Sequence, residues 1–199
     1  MIAADYAISS CFSDSHGIYV NLYVPAQVTW SQNGAACGLS IETDYPYAPS
    51  VIMTLRLPSA RTFTLNLRIP AWAEGAEFLI NGKRDSQPLP AGSFAAIRRE
   101  WRPADRIELE LPLMRRLESI DAVQPDTVAL LAGPLVLMRI LDDNAASSTL
   151  TRTSLLAAQR DANGRHEWQA RTDGSPIKLK PFLDIEAESY SAYQRVVPS

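Results

Sequence analysis

At 199 residues, with 46% hydrophobic and 21% charged side chains, the chain has the composition of a globular protein rather than a disordered one. Its net charge of −3, with no basic patch or stripe, argues against a nucleic-acid partner. No apolar run reaches the roughly 20 residues of a membrane-crossing helix. Met1 to Phe12 hold Asp5 and no Lys or Arg, so a secretory n-region is missing and the cytoplasm is the default compartment.

Read in chain order, the sequence is a series of short strands separated by Pro and Gly. Gly17 to Val24 alternates Ile18, Val20, Leu22 and Val24 against Tyr19, Asn21 and Tyr23, and Pro25 closes it. Further strands are expected at 27–32 and 37–44, followed by a turn through Asp44-Tyr-Pro-Tyr-Ala-Pro49. Val51, Met53, Leu55 and Leu57 alternate up to Pro58. The cleanest patterns are 61–70 and 106–112. In the first, Phe63, Leu65, Leu67 and Ile69 fall on one face and Thr62, Thr64, Asn66 and Arg68 on the other; in the second, Ile107, Leu109 and Leu111 oppose Arg106, Glu108 and Glu110. A period of two predicts sheets with one face on a core and one in water. Asn81-Gly82, between two short runs, is a strong hairpin signal because both residues tolerate positive φ. Phe94 to Arg99 is a further strand, joined to 106–112 by the loop 101–105.

Near 113–125 the alternation stops and Met114-Arg-Arg116 interrupts it. The apolar stretch Thr127 to Met138 is too continuous for a one-sided strand and reads as two strands, buried on both sides and broken at Gly133-Pro134. Residues 142–149 read as an exposed loop, 155–159 as a turn of helix, and the rest as loops and short strands ending at 189–197. The expected fold is all-β and mainly antiparallel, a β-sandwich or jelly-roll-like domain at 17–118. Residues 119–199 form a second, smaller β-rich domain or complete the first.

Little in the residues themselves points to chemistry. Cys11 and Cys37 lack the close spacing of zinc pairs and read as structural thiols, with a disulfide as the alternative. A glycosidase needs two carboxyls roughly 5–10 Å apart. Glu108 with Glu110, and Glu42 with Asp44, share strand faces, yet such positions ordinarily carry solvated charges. His16, in the turn Asp14-Ser-His-Gly17, and His166 have no partner at a telling spacing. No catalytic, cofactor-binding or metal residue is assigned. Tyr45, Tyr47, Trp72 and Trp101 lie near loops beside Pro and are the candidates for stacking against a carbohydrate. Closing the ends of a sandwich is the competing role, favoured by how much surface such rings bury.

Five pieces occur in a telling order: Gly17-Ile-Tyr-Val-Asn-Leu-Tyr-Val-Pro25, Leu67-Arg-Ile-Pro-Ala-Trp72, Ile80-Asn-Gly82, Arg99-Glu-Trp101 with Asp105, and Val128-Ala-Leu-Leu-Ala-Gly-Pro-Leu-Val136. Together they resemble the non-catalytic C-terminal β-region of glycoside hydrolase family 127, the β-L-arabinofuranosidase-like proteins. Lys180-Pro-Phe182 with Glu188, Tyr190 and Tyr193 resembles the end of that region. The resemblance implies a preceding (α/α)6-barrel that holds a cysteine nucleophile on a zinc site, with its cysteine cluster ahead of the Gly17 strand. Only Cys11 precedes Gly17, so no catalytic residue or zinc ligand carries over, and no cofactor is expected in this chain. Residues 1–16 resemble the tail of the last barrel helix, with Tyr6, Ile8 and Phe12 as its apolar positions. The resemblance thus implies an accessory portion of a hydrolase, inactive alone. Its partners would be the missing helical domain or a second copy; the alternative is a stand-alone carbohydrate-binding module.

Overall fold

The period-two patterns build strands in two compact units, 1–113 and 114–199. The computed structural model describes residues 9–141, 149–161 and 166–197. The strands of the first unit are β1 (Cys11–Ser13), β2 (Gly17–Val20), β3 (Ala26–Gln32), β4 (Ala35–Thr43), β5 (Ser50–Arg56), β6 (Arg61–Ile69), β7 (Glu77–Ile80), β8 (Lys83–Arg84), β9 (Ser93–Trp101) and β10 (Arg106–Glu110). They form a four-stranded sheet, β1-β2-β6-β9, and a six-stranded sheet, β3-β4-β5-β10-β7-β8. The two cleanest patterns, β6 and β10, lie in different sheets. Phe63, Leu65, Leu67 and Ile69 from one join Ile107 and Leu109 from the other in a single buried cluster. This is the expected all-β sandwich.

Most pairings in the first unit are antiparallel, but β2 runs parallel to β6, with Gly17 opposite Thr64 and Val20 opposite Leu67. Both of its Asn-Gly dipeptides make two-residue hairpin turns. Asn33 (φ 50) and Gly34 (φ 76) join β3 to β4, and Asn81 (φ 52) and Gly82 (φ 75) join β7 to β8. Positive φ at both positions matches the right-handed twist of the flanking strands. The second hairpin is tied to β10 by side chains. Asn81 Nδ2 donates to Asp105 Oδ1 (2.8 Å), Asn81 Oδ1 accepts from the Arg106 amide (2.9 Å), and Asp105 Oδ2 accepts from the Arg102 amide (2.8 Å). Trp101, expected in the loop, instead ends β9.

Two expectations for the start of the chain are corrected. The strand at Gly17 ends at Val20 rather than Val24, because the amides of Asn21 and Leu22 both donate to Ser10 O (2.8 and 3.1 Å) and turn the backbone. Alternation slips by one residue there: Tyr23 is buried, its hydroxyl donating to Arg68 O at 2.6 Å, while Val24 is exposed. Of the residues read as a helix tail, Ser9 and Ser10 are helical, but Phe12 stands in β1, paired with Tyr19. Tyr6 and Ile8 lie outside the described residues.

In the second unit the elements are β11 (Arg115–Ser119), β12 (Thr127–Ala132), β13 (Leu135–Ile140), α1 (Arg152–Leu156), β14 (Gln159–Arg160), β15 (Trp168–Ala170), β16 (Ile177–Pro181), a 3-10 turn (Phe182–Asp184), β17 (Tyr190–Ser191) and β18 (Gln194–Arg195). The sheet order is β11-β12-β13-β16-β15-β14, with β17 on β13 and β18 on β12. Gly133-Pro134 separates β12 from β13 as expected, and β12 is buried continuously from Val128 to Ala132, whereas β13 leaves Val136, Arg139 and Ile140 half-buried rather than buried on both sides. The interruption at Met114-Arg-Arg116 leads into a charged edge strand, the usual guard against pairing with a stranger.

The helix starts earlier than expected, at Arg152 rather than 155. Thr151 caps it, its hydroxyl accepting from the Ser154 amide while Ser154 Oγ accepts from the Thr151 amide. The expected loop at 142–149 falls almost wholly outside the described residues. No helix among the described residues is long and apolar enough to cross a membrane.

The loop after β16 is organised by one carboxylate. Glu188 pairs with Lys180 and accepts from the amides of Glu186 and Ala187 (2.9 and 3.2 Å). The Lys180 ammonium, then the Glu186 amide, holds the Glu188 carboxyl down to about 2, and Glu188 in turn raises Lys180. A depressed carboxyl adds stability above its unfolded value, about 4.3, and loses it as pH falls through the folded value. The acid loosening of this loop is therefore expected between about pH 4.3 and 2. A carboxyl NMR titration should place the Glu188 midpoint near 2 and return it toward the ordinary range in Lys180→Met. An ordinary midpoint in the parent chain refutes the pairing.

Candidate functional site

The proposed sugar-stacking residues separate in the structure. Trp101 is 0% exposed, its indole N–H donating to Phe63 O at 3.2 Å deep in the sandwich. It cannot touch a ligand in this fold, which corrects its place among the carbohydrate contacts. The burial follows from β9 continuing through Trp101, whose position shares the inward face with Ala95 and Ile97. Tyr45 and Trp72 do come together, with ring centroids 6.4 Å apart and planes 13° from parallel, and Tyr23 closes edge-on against Tyr45 at 6.1 Å. Both Tyr45 and Trp72 pack against the core and are half-buried, as is Tyr47. Burial raises the Tyr45 and Tyr23 hydroxyls above the ordinary phenol range, so both stay neutral.

A second aromatic group was missed in the sequence. Phe12 and Tyr19 stack at 4.7 Å and 12°, and Phe94 meets them edge-on at 6.1 and 5.6 Å. The signal was present in register: each ring sits on the non-core face of β1, β2 or β9, where alternation puts polar residues. Finding it required knowing that β1, β2, β6 and β9 lie side by side, which no local pattern states.

Acid–base and nucleophilic chemistry find little support in the geometry. Among the described residues, the carboxyls whose protonation the structure shifts, Asp14, Asp173 and Glu188, all move down toward the permanent anion, the reverse of a general acid. In Asp14 the His16 amide is the main cause. Glu108, half-buried on β10, is paired with Arg106. Asp14, Ser15 and His16 mimic a triad in sequence, but Ser15 Oγ (3.3 Å) and Asp14 Oδ2 (3.7 Å) both approach the same ring atom, His16 Nδ1. A relay needs them on opposite nitrogens. His166 faces Asp184 at 3.4 Å.

The thiols are free, which removes the disulfide alternative. Cys37 is buried, and burial pushes the Cys11 thiol up to about 11, far from a reactive thiolate. Among the described residues no three His, Cys, Asp or Glu gather to hold a metal, so the zinc implied by the resemblance finds no ligand set there. In the second unit an open depression beside α1 and β14–β15 is lined by Gln159, Arg160, Gln169 and Arg171 and has no aromatic wall on which a sugar would stack.

Comparison with known proteins places these features. Residues 17–113 match the family model described as the beta-L-arabinofuranosidase, GH127 middle domain. That match is to a middle domain and does not bear out the expected C-terminal position. A search of curated proteins finds no match. Among solved structures, the chain is similar over 100% of its length to Ara127N-Se, a GH127 beta-L-arabinofuranosidase from Geobacillus stearothermophilus T6, at 25% identity and TM-score 0.79. It is similar in fold to a glycoside hydrolase (22% identity, 94% of this chain, TM-score 0.73) and to a GH127 beta-arabinofuranosidase (19%, 90%, TM-score 0.72). The chain spans 36%, 37% and 35% of those three proteins, about a third of each.

Proposed function

We propose that this chain is an accessory, non-catalytic β portion of an arabinofuranosidase-like glycoside hydrolase, serving structure and association rather than bond cleavage. The observation that carries the reading is the GH127 middle-domain match over 17–113, joined to a fold that follows a third of the Geobacillus enzyme over the whole chain. The downward-shifted carboxyls and high Cys11 pKa agree with it. In this reading residues 114–199 are a further β domain of the same protein. The zinc and nucleophile implied by the resemblance belong to a helical domain outside this chain.

The near-parallel Tyr45–Trp72 pair favours a second reading, a carbohydrate-binding module. One set of measurements separates the two. The purified chain is incubated with nitrophenyl L-arabinofuranosides and titrated with arabino-oligosaccharides while tryptophan fluorescence is followed. No hydrolysis and no saturable quench are expected. Turnover by the chain alone refutes the accessory reading, and a saturable quench lost in Trp72→Ala establishes the second.

A further inference from the structure

The open depression of the second unit has a volume of about 790 Å³, within the roughly 300–1,000 Å³ of small-molecule sites. Strand register builds one side of it. Gln159 on β14 and Gln169 on β15 stand directly opposite, so their side chains share a face, while Ala170, Ile177 and Leu179 on the other face are buried. Arg171 follows β15 in the lining, and Ser154 and Ala157 come from α1 and its C-cap.

The surrounding backbone is pinned by bonds that leave these three polar side chains unused. Thr172 Oγ1 donates to Ser175 O (2.7 Å) and accepts from the Gly174 amide (3.0 Å), and Asp173 Oδ1 accepts from the Thr149 amide (2.7 Å). The Ser154 hydroxyl is engaged in the cap of α1, and the Asp161 amide donates to Glu167 O (2.8 Å). A lining fixed in advance lowers the ordering cost of binding. Among the described residues, the side chains of Gln159, Gln169 and Arg171 make no hydrogen bond or ion pair. Lys178, opposite Gln169 on β16, is by contrast neutralised by Glu167 at 2.7 Å. A single solvated Gln or Arg is ordinary on a surface, whereas three with open donors in one concavity form a binding lining.

The chemistry of the lining selects the ligand. A guanidinium offers a planar fork of N–H donors that fits a carboxylate with two bonds. Each carboxamide offers two donors and an acceptor, which suits neighbouring hydroxyls. No aromatic ring lines the depression, so a nucleobase or the flat face of a neutral sugar has no wall to stack on. Arg160 and Asp161 also line it with opposite charges, and the Asp161 carboxylate disfavours a dense anion such as phosphate over a single carboxylate.

We infer that this depression binds an acidic sugar, a uronic acid unit of an oligosaccharide, with its carboxylate on Arg171 and its hydroxyls on Gln159 and Gln169. The site goes beyond the accessory reading and lies outside the 17–113 family match.

Isothermal titration calorimetry of the full chain tests it with three probes: tri-galacturonate, its carboxyl-reduced counterpart galactotriose, and inorganic phosphate. Saturable binding of tri-galacturonate is expected, about tenfold or more tighter than either of the others. Arg171→Gln should weaken it about tenfold, while Arg98→Gln, the same charge change on exposed β9, leaves it unchanged. Gln169→Ala should weaken tri-galacturonate and leave phosphate unaffected. Both lining residues are exposed, and urea midpoints equal to the parent's verify that the variants fold. No saturable binding, or binding indifferent to Arg171→Gln, overturns the site. Equal affinity for galactotriose overturns the carboxylate contact, and equal affinity for phosphate overturns the sugar assignment.

Discussion

Gly17→Ala is expected to destabilise the first unit by about 4 kcal/mol or more, the extreme end of single substitutions. A Cβ at this position would lie 1.8 Å from the Thr64 carbonyl oxygen, 2.7 Å from its carbon and 2.9 Å from its nitrogen. All three are backbone atoms, so no rotamer change relieves the overlap. β2 would have to leave β6, disrupting the parallel ladder from Gly17–Thr64 to Val20–Leu67 and freeing β1, which among the described residues pairs with β2 alone. Close approach, rather than a left-handed backbone, makes this glycine necessary. Gly38→Ala is the control: its Cβ would meet the Arg56 side chain, Nε at 3.1 Å, which can swing aside. That variant should stay within about 1 kcal/mol of the parent. Urea unfolding followed by circular dichroism compares the two, and equal midpoints would mean that β2 does not run against β6 in this register.

The same glycine shows what was legible in the sequence and what was not. Alternation along 61–70 and 106–112 reports which residues face the core, correctly for Phe63, Leu65, Leu67, Ile69, Ile107, Leu109 and Leu111. It carries no information about which strands are neighbours. The parallel contact between β2 and β6 joins residues more than forty positions apart, and nothing local announces it. Asn66 looked like a solvent-facing residue of β6, yet it is buried, its Nδ2 donating to Ile18 O at 3.3 Å across that contact. The Thr151 cap was readable and overlooked, because the helix it begins is only five residues long and offers almost no periodicity.

Candidate sites were less legible for a related reason. An aromatic beside Pro at a strand end looks the same in sequence whether it caps the core or faces solvent. Tyr45 and Trp72 meet because the turn after β4 and the segment after β6 converge, while Trp101 turns inward at the end of β9. Phe12 resembled a helix residue and Phe94 an ordinary strand residue; only sheet order sets their rings against Tyr19.

Trp101→Ala is the second large effect, expected at about 5 kcal/mol. Truncating a fully buried tryptophan typically costs about 3–5 kcal/mol in lost burial and cavity. It also leaves Phe63 O without the indole donor, a further penalty of about 1–3 kcal/mol that water entering the cavity partly offsets. Trp101→Phe keeps a ring near Phe63, whose centroid lies 6.1 Å away, and should lose about half as much while still orphaning the carbonyl. Trp72→Ala, from a half-buried ring, should cost under about 2 kcal/mol and leave the cooperativity of unfolding unchanged. This ordering decides how sugar measurements are interpreted. A Trp101 variant that loses a ligand has lost the sandwich, whereas a Trp72 variant that loses one has lost a contact. Equal urea midpoints for Trp101→Ala and Trp72→Ala would contradict the inward position of Trp101 and restore it as a surface ring.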